Sequence, residues 1–328
     1  MQNGSRLIKI AAGWLLGLML AVAAAVFTIS LVNTNYFGPQ QSVRDYLQAL
    51  RDGDGAKALG LLRAPVPSAN PAMLDGDGLK AAASKLGDMH VGNPENLDGG
   101  RVKVAVSYTI DGASQSTDFT LEPAGKEWLF FNTWSFVPAA LPTIDVSVVN
   151  ENQASVNGVQ VDMPSGKNSF AVLYPGQYKA DFQSKYFQAP AVSTTVTAPE
   201  TKPSAVALAT GPSPALLAEV DGKIHQYLDN CAKQQVLLPT GCPFSNRTDN
   251  RVVGPIKWSI ASYPKIGISA YGGKWVMAPL TVKAQVEYQE QQLFSGKVAD
   301  VKDAQDFGFT AKLDVTDSSI TVTPVVDY

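Results

Sequence analysis

The sequence predicts a modular protein of α+β and all-β class: an N-terminal transmembrane helix, a helix-plus-sheet domain, a small β-sandwich and a second helix-plus-antiparallel-sheet domain. Three observations predict it. Residues 10–32 carry no charge. Two amphipathic stripes, one around Tyr46 and one around Ile224, are each followed by runs in which apolar and polar side chains alternate. Gly 27 and Pro 21 supply the turns that many strands require. At roughly 100–200 residues per domain, a chain of 328 residues makes two or three folded units.

In the uncharged run only Thr28 and Ser30 carry hydroxyls. As a helix it extends ~35 Å, enough for a hydrocarbon core of ~30 Å. Arg6 and Lys9 stand just before it, so the positive-inside rule leaves residues 1–9 as a cytoplasmic stub and exports the rest as a single-pass membrane protein. The competing reading is a cleaved signal, with Ala21-Val22-Ala23-Ala24-Ala25 offered to a signal peptidase. The apolar run continues through Val26, Phe27, Ile29, Leu31 and Val32, longer than a signal core of ~7–15 residues, which favours retention. Both readings export the body. Two of the 26 basic residues precede the span, leaving 24 against 29 acidic ones beyond it. Such a mildly acidic body lacks the basic footprint that phosphate neutralisation requires, so nucleic acid is excluded as a partner.

Residues 33–40 read as a short polar tether. Val43, Tyr46, Leu47 and Leu50 then make one helical stripe, which Gly53 ends, and Ala56 to Leu62 start a second short helix. Pro65, Pro67 and Pro71 forbid its continuation. After a polar, Gly-rich stretch come strand-like runs at 101–110, 117–122 and 127–137, with Asp111-Gly112 as a hairpin turn between the first two. Alternation in the last run puts Trp128, Phe130, Asn132, Trp134 and Phe136 on one face and Phe131 on the other. With Tyr46 these aromatics are either the core beneath the helix or a hydrophobic ligand cleft.

The helix V-x-x-Y-L-x-A-L-x-x-G-D, a second short helix and strands closing in G-K-x-W-L resemble the nuclear-transport-factor-like, cystatin-like α+β superfamily over residues 38–138. That resemblance implies a sheet wrapped on a helix and, in some members, a conical pocket that binds small ligands or carries an Asp/His or Tyr/Asp pair.

Residues 141–210 read as strands with a hairpin tip at Asn157-Gly158. The order V-N-G, then F-x-V-L-Y-P-G-Q-Y, then Y-F resembles PEGA-like and TcaA-type β-sandwich modules. The last unit, residues 215–328, opens with an amphipathic helix along Leu217, Val220, Ile224, Leu228 and Cys231. Strand runs follow at 256–262, 266–271, 275–288, 307–315 and 320–326. Cys231 and Cys242 are the only cysteines and bracket a turn-rich segment, which in an exported domain reads as one disulfide. The plan of anchor plus exported modules is similar to TcaA-type envelope proteins of Gram-positive bacteria. It implies a cell-wall polymer or another envelope protein as partner. Those proteins carry a cytoplasmic zinc ribbon before the membrane helix; this chain has nine residues there and no cysteine.

No catalytic motif emerges. G-x-S-x-G, S-x-x-K followed by K-T-G, H-E-x-x-H and the phosphate loop are all missing. Asp75-Gly76-Asp77-Gly78 hints at calcium, but position twelve is Leu86 where an EF-hand places Glu, so it reads as a polar turn. Two histidines and two cysteines make no zinc set, and no cofactor is implied. His90 sits beside Asp88 in a segment that reads as loop or strand entry, and His225 flanks the stripe of the last helix. The reading is a non-catalytic, membrane-anchored binding or scaffold protein. The alternative is a small-ligand or lyase/isomerase-type pocket in the first α+β unit.

Overall fold

The computed structural model describes residues 3–35, 37–127, 131–316 and 318–326. Helix α1, Asn3–Asn35, contains a 21-residue apolar window, Ala12–Val32, with mean hydropathy 2.6 and none of it buried in the protein. It is long and apolar enough to cross a membrane. Within it the Thr28 hydroxyl donates to the Ala24 carbonyl at 2.8 Å, so a polar side chain is satisfied without leaving the helix.

The tether expected at 33–40 is mostly helix. Helix α1 runs to Asn35 and α2, Pro39–Asp52, begins four residues later. Proline at the first turn presets φ for α2 and sacrifices no hydrogen bond there. Between the helices the Phe37 amide donates to the Val32 carbonyl at 3.3 Å, and the Phe37 ring stacks on Phe131 with centroids 4.5 Å apart.

Helix α2 buries Val43, Tyr46, Leu47 and Leu50, the stripe read from the sequence, together with Ala49. Helix α3, Gly55–Leu62, is capped by the Asp54 carboxylate, which accepts from the Lys57 amide at 2.9 Å. Gly55 must be glycine: a Cβ there would stand 2.0 Å from the Leu74 carbonyl oxygen. One element was not expected, and one open reading is decided. Asp75 to Gly78 is not a free turn but the start of helix α4, Gly76–Ala83, which buries Leu79, Ala82 and Ala83. The Gly-rich stretch holding His90 is strand β1, Gly87–Asn96.

Strands β1, β2 (Val102–Ile110), β3 (Ala113–Glu127) and β4 (Phe131–Phe136) form a four-stranded antiparallel meander in that order. Val102, Val104, Val106, Tyr108 and Ile110 alternate inward to meet the helices. The Asp111-Gly112 turn has φ of 50° and 80°, the left-handed pair that a two-residue hairpin requires.

A two-sheet β-unit follows. Its strands are β5 (Thr143–Val148), β6 (Gln153–Val156), β7 (Val159–Asp162), β8 (Lys167–Ala171), β9 (Gly176–Gln183), β10 (Phe187–Val196), β11 (Val206–Leu208) and β12 (Gly211–Pro212). One sheet has the order β12-β10-β9-β6-β7 and the other β11-β5-β8, with β11 parallel to β5. Its hydrogen bonds reach into the first unit. Asn70 donates its amide to the Ser169 carbonyl at 2.8 Å and accepts from the Ala171 amide at 3.0 Å. Thr117 donates to the Thr197 carbonyl at 2.6 Å, and Asn157 to that of Gly78 at 3.0 Å.

Helix α5, Pro214–Ala232, starts at Ser213, whose hydroxyl accepts from the Leu216 amide at 3.2 Å. Leu216, not Leu217, opens its buried stripe with Val220, Ile224, Leu228 and Cys231. The sheet against it runs β13 (Arg251–Ser262), β16 (Leu280–Gln291), β17 (Val298–Val315) and β18 (Ile320–Val325), with the β14–β15 hairpin (Ile268–Tyr271, Lys274–Met277) inserted before β16. The single run expected at 275–288 is broken at Ala278-Pro279, where the Ala278 amide turns to the Gly267 carbonyl at 2.8 Å. A helix followed by a four-stranded antiparallel sheet therefore occurs twice.

Candidate functional site

The two elements that hold the aromatic residues singled out in the sequence are α2 and β4. Tyr46, at 0% exposure, lies under the first sheet with Phe119 and Phe136, each at 2%. The three rings touch pairwise at centroid distances of 5.5 and 5.6 Å, in tilted or edge-on orientations. Phe119 also stacks on Tyr174 of the β-unit at 6.0 Å. The Tyr46 hydroxyl donates to the Tyr174 carbonyl, and the Tyr178 hydroxyl to that of Leu173 at 2.6 Å. Burial pushes the Tyr46 phenol well above its ordinary value, assisted by Tyr174 and Tyr178. Burial also lifts Tyr174 to about 12 and Tyr178 further. Phenols in this position stay neutral and structural. Tyr46 and Phe136 are therefore core. Trp134 is half-buried at the sheet edge, where its carbonyl accepts from Ser42 Oγ at 3.3 Å. Trp128 and Phe130 lie outside the described residues.

The acid–base pairs considered for the first unit do not converge. His90 is exposed on β1, and Asp88 beside it is engaged by Thr109 Oγ1 at 3.4 Å. Tyr108 bonds Thr117 at 2.8 Å, while Asp111 accepts from Gln177 Nε2 across to the β-unit. Among the described residues no Asp, Glu or His is buried.

His225 is half-buried on α5, stacked on Tyr263 with centroids 3.7 Å apart and with Nε2 3.5 Å from Asp221. Tyr263 donates to Asp229, a bond that raises its phenol. This chain of polar groups runs along the outer face of α5. The disulfide is present: Cys231 at the end of α5 is joined to Cys242, with Cα atoms 5.7 Å apart. The loop it closes is braced by Gln234, whose amide oxygen accepts from the Thr240 amide at 2.9 Å.

A cleft of about 530 Å³ opens beside the aromatic core, lined by Asp118, Phe119, Phe136, Tyr174 and Glu200. Two others lie away from it. One, of about 660 Å³, separates β15 from the end of β17 and is lined by Lys274, Trp275, Met277, Lys312, Leu313 and Asp314. The other, of about 430 Å³, lies between α2 and β1, with Arg44, Gln48 and Arg51 on one wall and Met89, His90 and Val91 on the other. The second was legible but unread. Arg44, Gln48 and Arg51 follow one another at helical spacing beside the apolar stripe. No group of three or more His, Cys, Asp or Glu side chains among the described residues could hold a metal ion. No family model, curated protein or solved structure matches this chain.

Proposed function

We propose that this chain is a non-catalytic, single-pass membrane protein whose exported body binds or scaffolds a component of the cell envelope. The observation that carries the reading is α1, whose apolar window is unburied, joined to a body in which Tyr46 and the aromatic rings around it fill the core. Isolated in water, such a helix would leave Trp14, Leu16, Leu18 and Phe27 unprotected; a bilayer supplies the missing apolar surroundings. The resemblance to TcaA-type envelope proteins supports the same reading, with wall polymer or a neighbouring envelope protein as partner.

The test is topological. After carbonate washing the chain should remain with the membrane fraction, and protease added outside intact cells should digest the body. Release into the wash, or a body protected until lysis, would overturn the proposal. Photo-crosslinking from the body in the intact membrane then identifies the partner.

A further inference from the structure

We infer that the cleft between α2 and β1 takes the phosphate headgroup of an anionic phospholipid from the membrane that holds α1, an inference that rests on the anchored reading above. Arg44 and Arg51 are seven residues apart, so they project from the same side of α2, two turns or ~10.5 Å apart along its axis. Gln48 lies between them, His90 faces them from β1, and buried Leu47 forms the floor. Both arginines are exposed, and among the described residues neither forms a salt bridge. The nearest carboxylates on the same helix are already engaged by amides: Asp45 accepts from Gln41 at 2.9 Å and Asp52 from Gln48 at 2.8 Å. No carboxylate lines the cleft, in a body where acidic residues outnumber basic ones.

Guanidinium forks match phosphate oxygens bidentately, and two of them on one wall with an imidazole on the other make a site for a phosphate ester. The apolar share of the lining, Leu47, Met89 and Val91, suits a glycerol or acyl stem leaving the phosphate. Position selects the source. Helix α2 begins four residues after α1 ends, Arg44 lies in its second turn, and the Phe37–Phe131 stack holds the first sheet at the end of the span. Basic side chains this close to a membrane exit attract anionic headgroups and lose that attraction within a screening length.

The experiment uses the full chain in nanodiscs of phosphatidylcholine alone, or of phosphatidylcholine with phosphatidylglycerol, followed by hydrogen exchange. Exchange in β1 around His90 should slow severalfold when phosphatidylglycerol is present. Arg44→Gln with Arg51→Gln should abolish that slowing, while Arg63→Gln, remote from the cleft, should keep it. Equal exchange in the two disc types overturns the inference whether or not the double variant folds, and so does a response that persists in a folded double variant. Inorganic phosphate producing the same slowing in pure phosphatidylcholine discs would move the source to a free anion and overturn the lipid assignment. Failure of the chain to enter any disc would count against the anchored reading alone. The cleft is then decided by the same comparison with water-soluble short-chain phosphatidylglycerol.

Discussion

At Tyr46 a single side chain holds three parts of the protein together. Its ring fills the space between α2 and the first sheet, and its hydroxyl reaches the backbone of the β-unit. Tyr46→Phe removes one buried hydrogen bond and leaves the Tyr174 carbonyl without that donor, so a loss of ~1–2 kcal/mol is expected. Tyr46→Ala also opens a cavity and should lose ~3–5 kcal/mol. Chemical unfolding of both variants checks this, and equal losses would sink the assignment of a role to the hydroxyl. The phenols also set an alkaline limit. In the unfolded chain they ionise near 10, whereas burial holds Tyr46, Tyr174 and Tyr178 protonated to higher pH, Tyr174 to about 12. The unfolded chain therefore loses protons first, and the stability from these groups is full below pH ~10 and falls as pH rises toward the native values. A melting temperature that stayed level across that window would refute the assignment. The stripe carrying Tyr46 was legible from spacing. Whether the ring lined a cleft or filled a core was not, because that depends on Tyr174, 128 residues away.

The elements that the sequence hid are those made by their neighbours. Helix α4 has a small, alanine-rich buried face and opens with Asp75-Gly76-Asp77-Gly78, so local propensity points to a turn. What holds it is close approach: a Cβ on Gly176 of β9 would meet the Ala82 methyl at 3.3 Å. Strand β1 contains two glycines and Pro94, and its register slips twice against β2, as an edge strand tolerates and an internal one does not. The strong alternation of β2 and the Asp111-Gly112 turn needed no such help and were readable. The two glycines of α3 give a paired test. Gly60→Ala meets open space and should stabilise by ~0.5–1 kcal/mol through helix propensity. Gly55→Ala drives a methyl into the Leu74 carbonyl and should cost several times that, ~2–4 kcal/mol. Similar melting temperatures for the two would contradict the α3 packing. For the stapled loop, reduction of Cys231–Cys242 should remove ~3 kcal/mol, the chain-entropy value for a loop of this length. Superimposable unfolding curves with and without reductant would rule that contribution out.

In the whole molecule, the first α+β unit and the β-unit share buried contacts and at least four hydrogen-bonded links, so they are expected to loosen together. Hydrogen exchange of Tyr46→Ala should speed up in β9 as well as in β2. Deprotection confined to the first sheet would show that each unit stands alone. A last consequence comes from the junction behind α1. Eight extended residues would let the body roam ~28 Å from the bilayer, but three leave a leash of ~10 Å, and Phe37 is already docked on Phe131. In the anchored reading the body does not fish for partners through the depth of the wall. It patrols a thin sheet of space beside the lipid, where two-dimensional diffusion sets the encounter rate and confinement raises the local concentration of anything sharing that layer. A wall strand can be met only where it descends to the membrane. A membrane neighbour of the right height is in reach all the time.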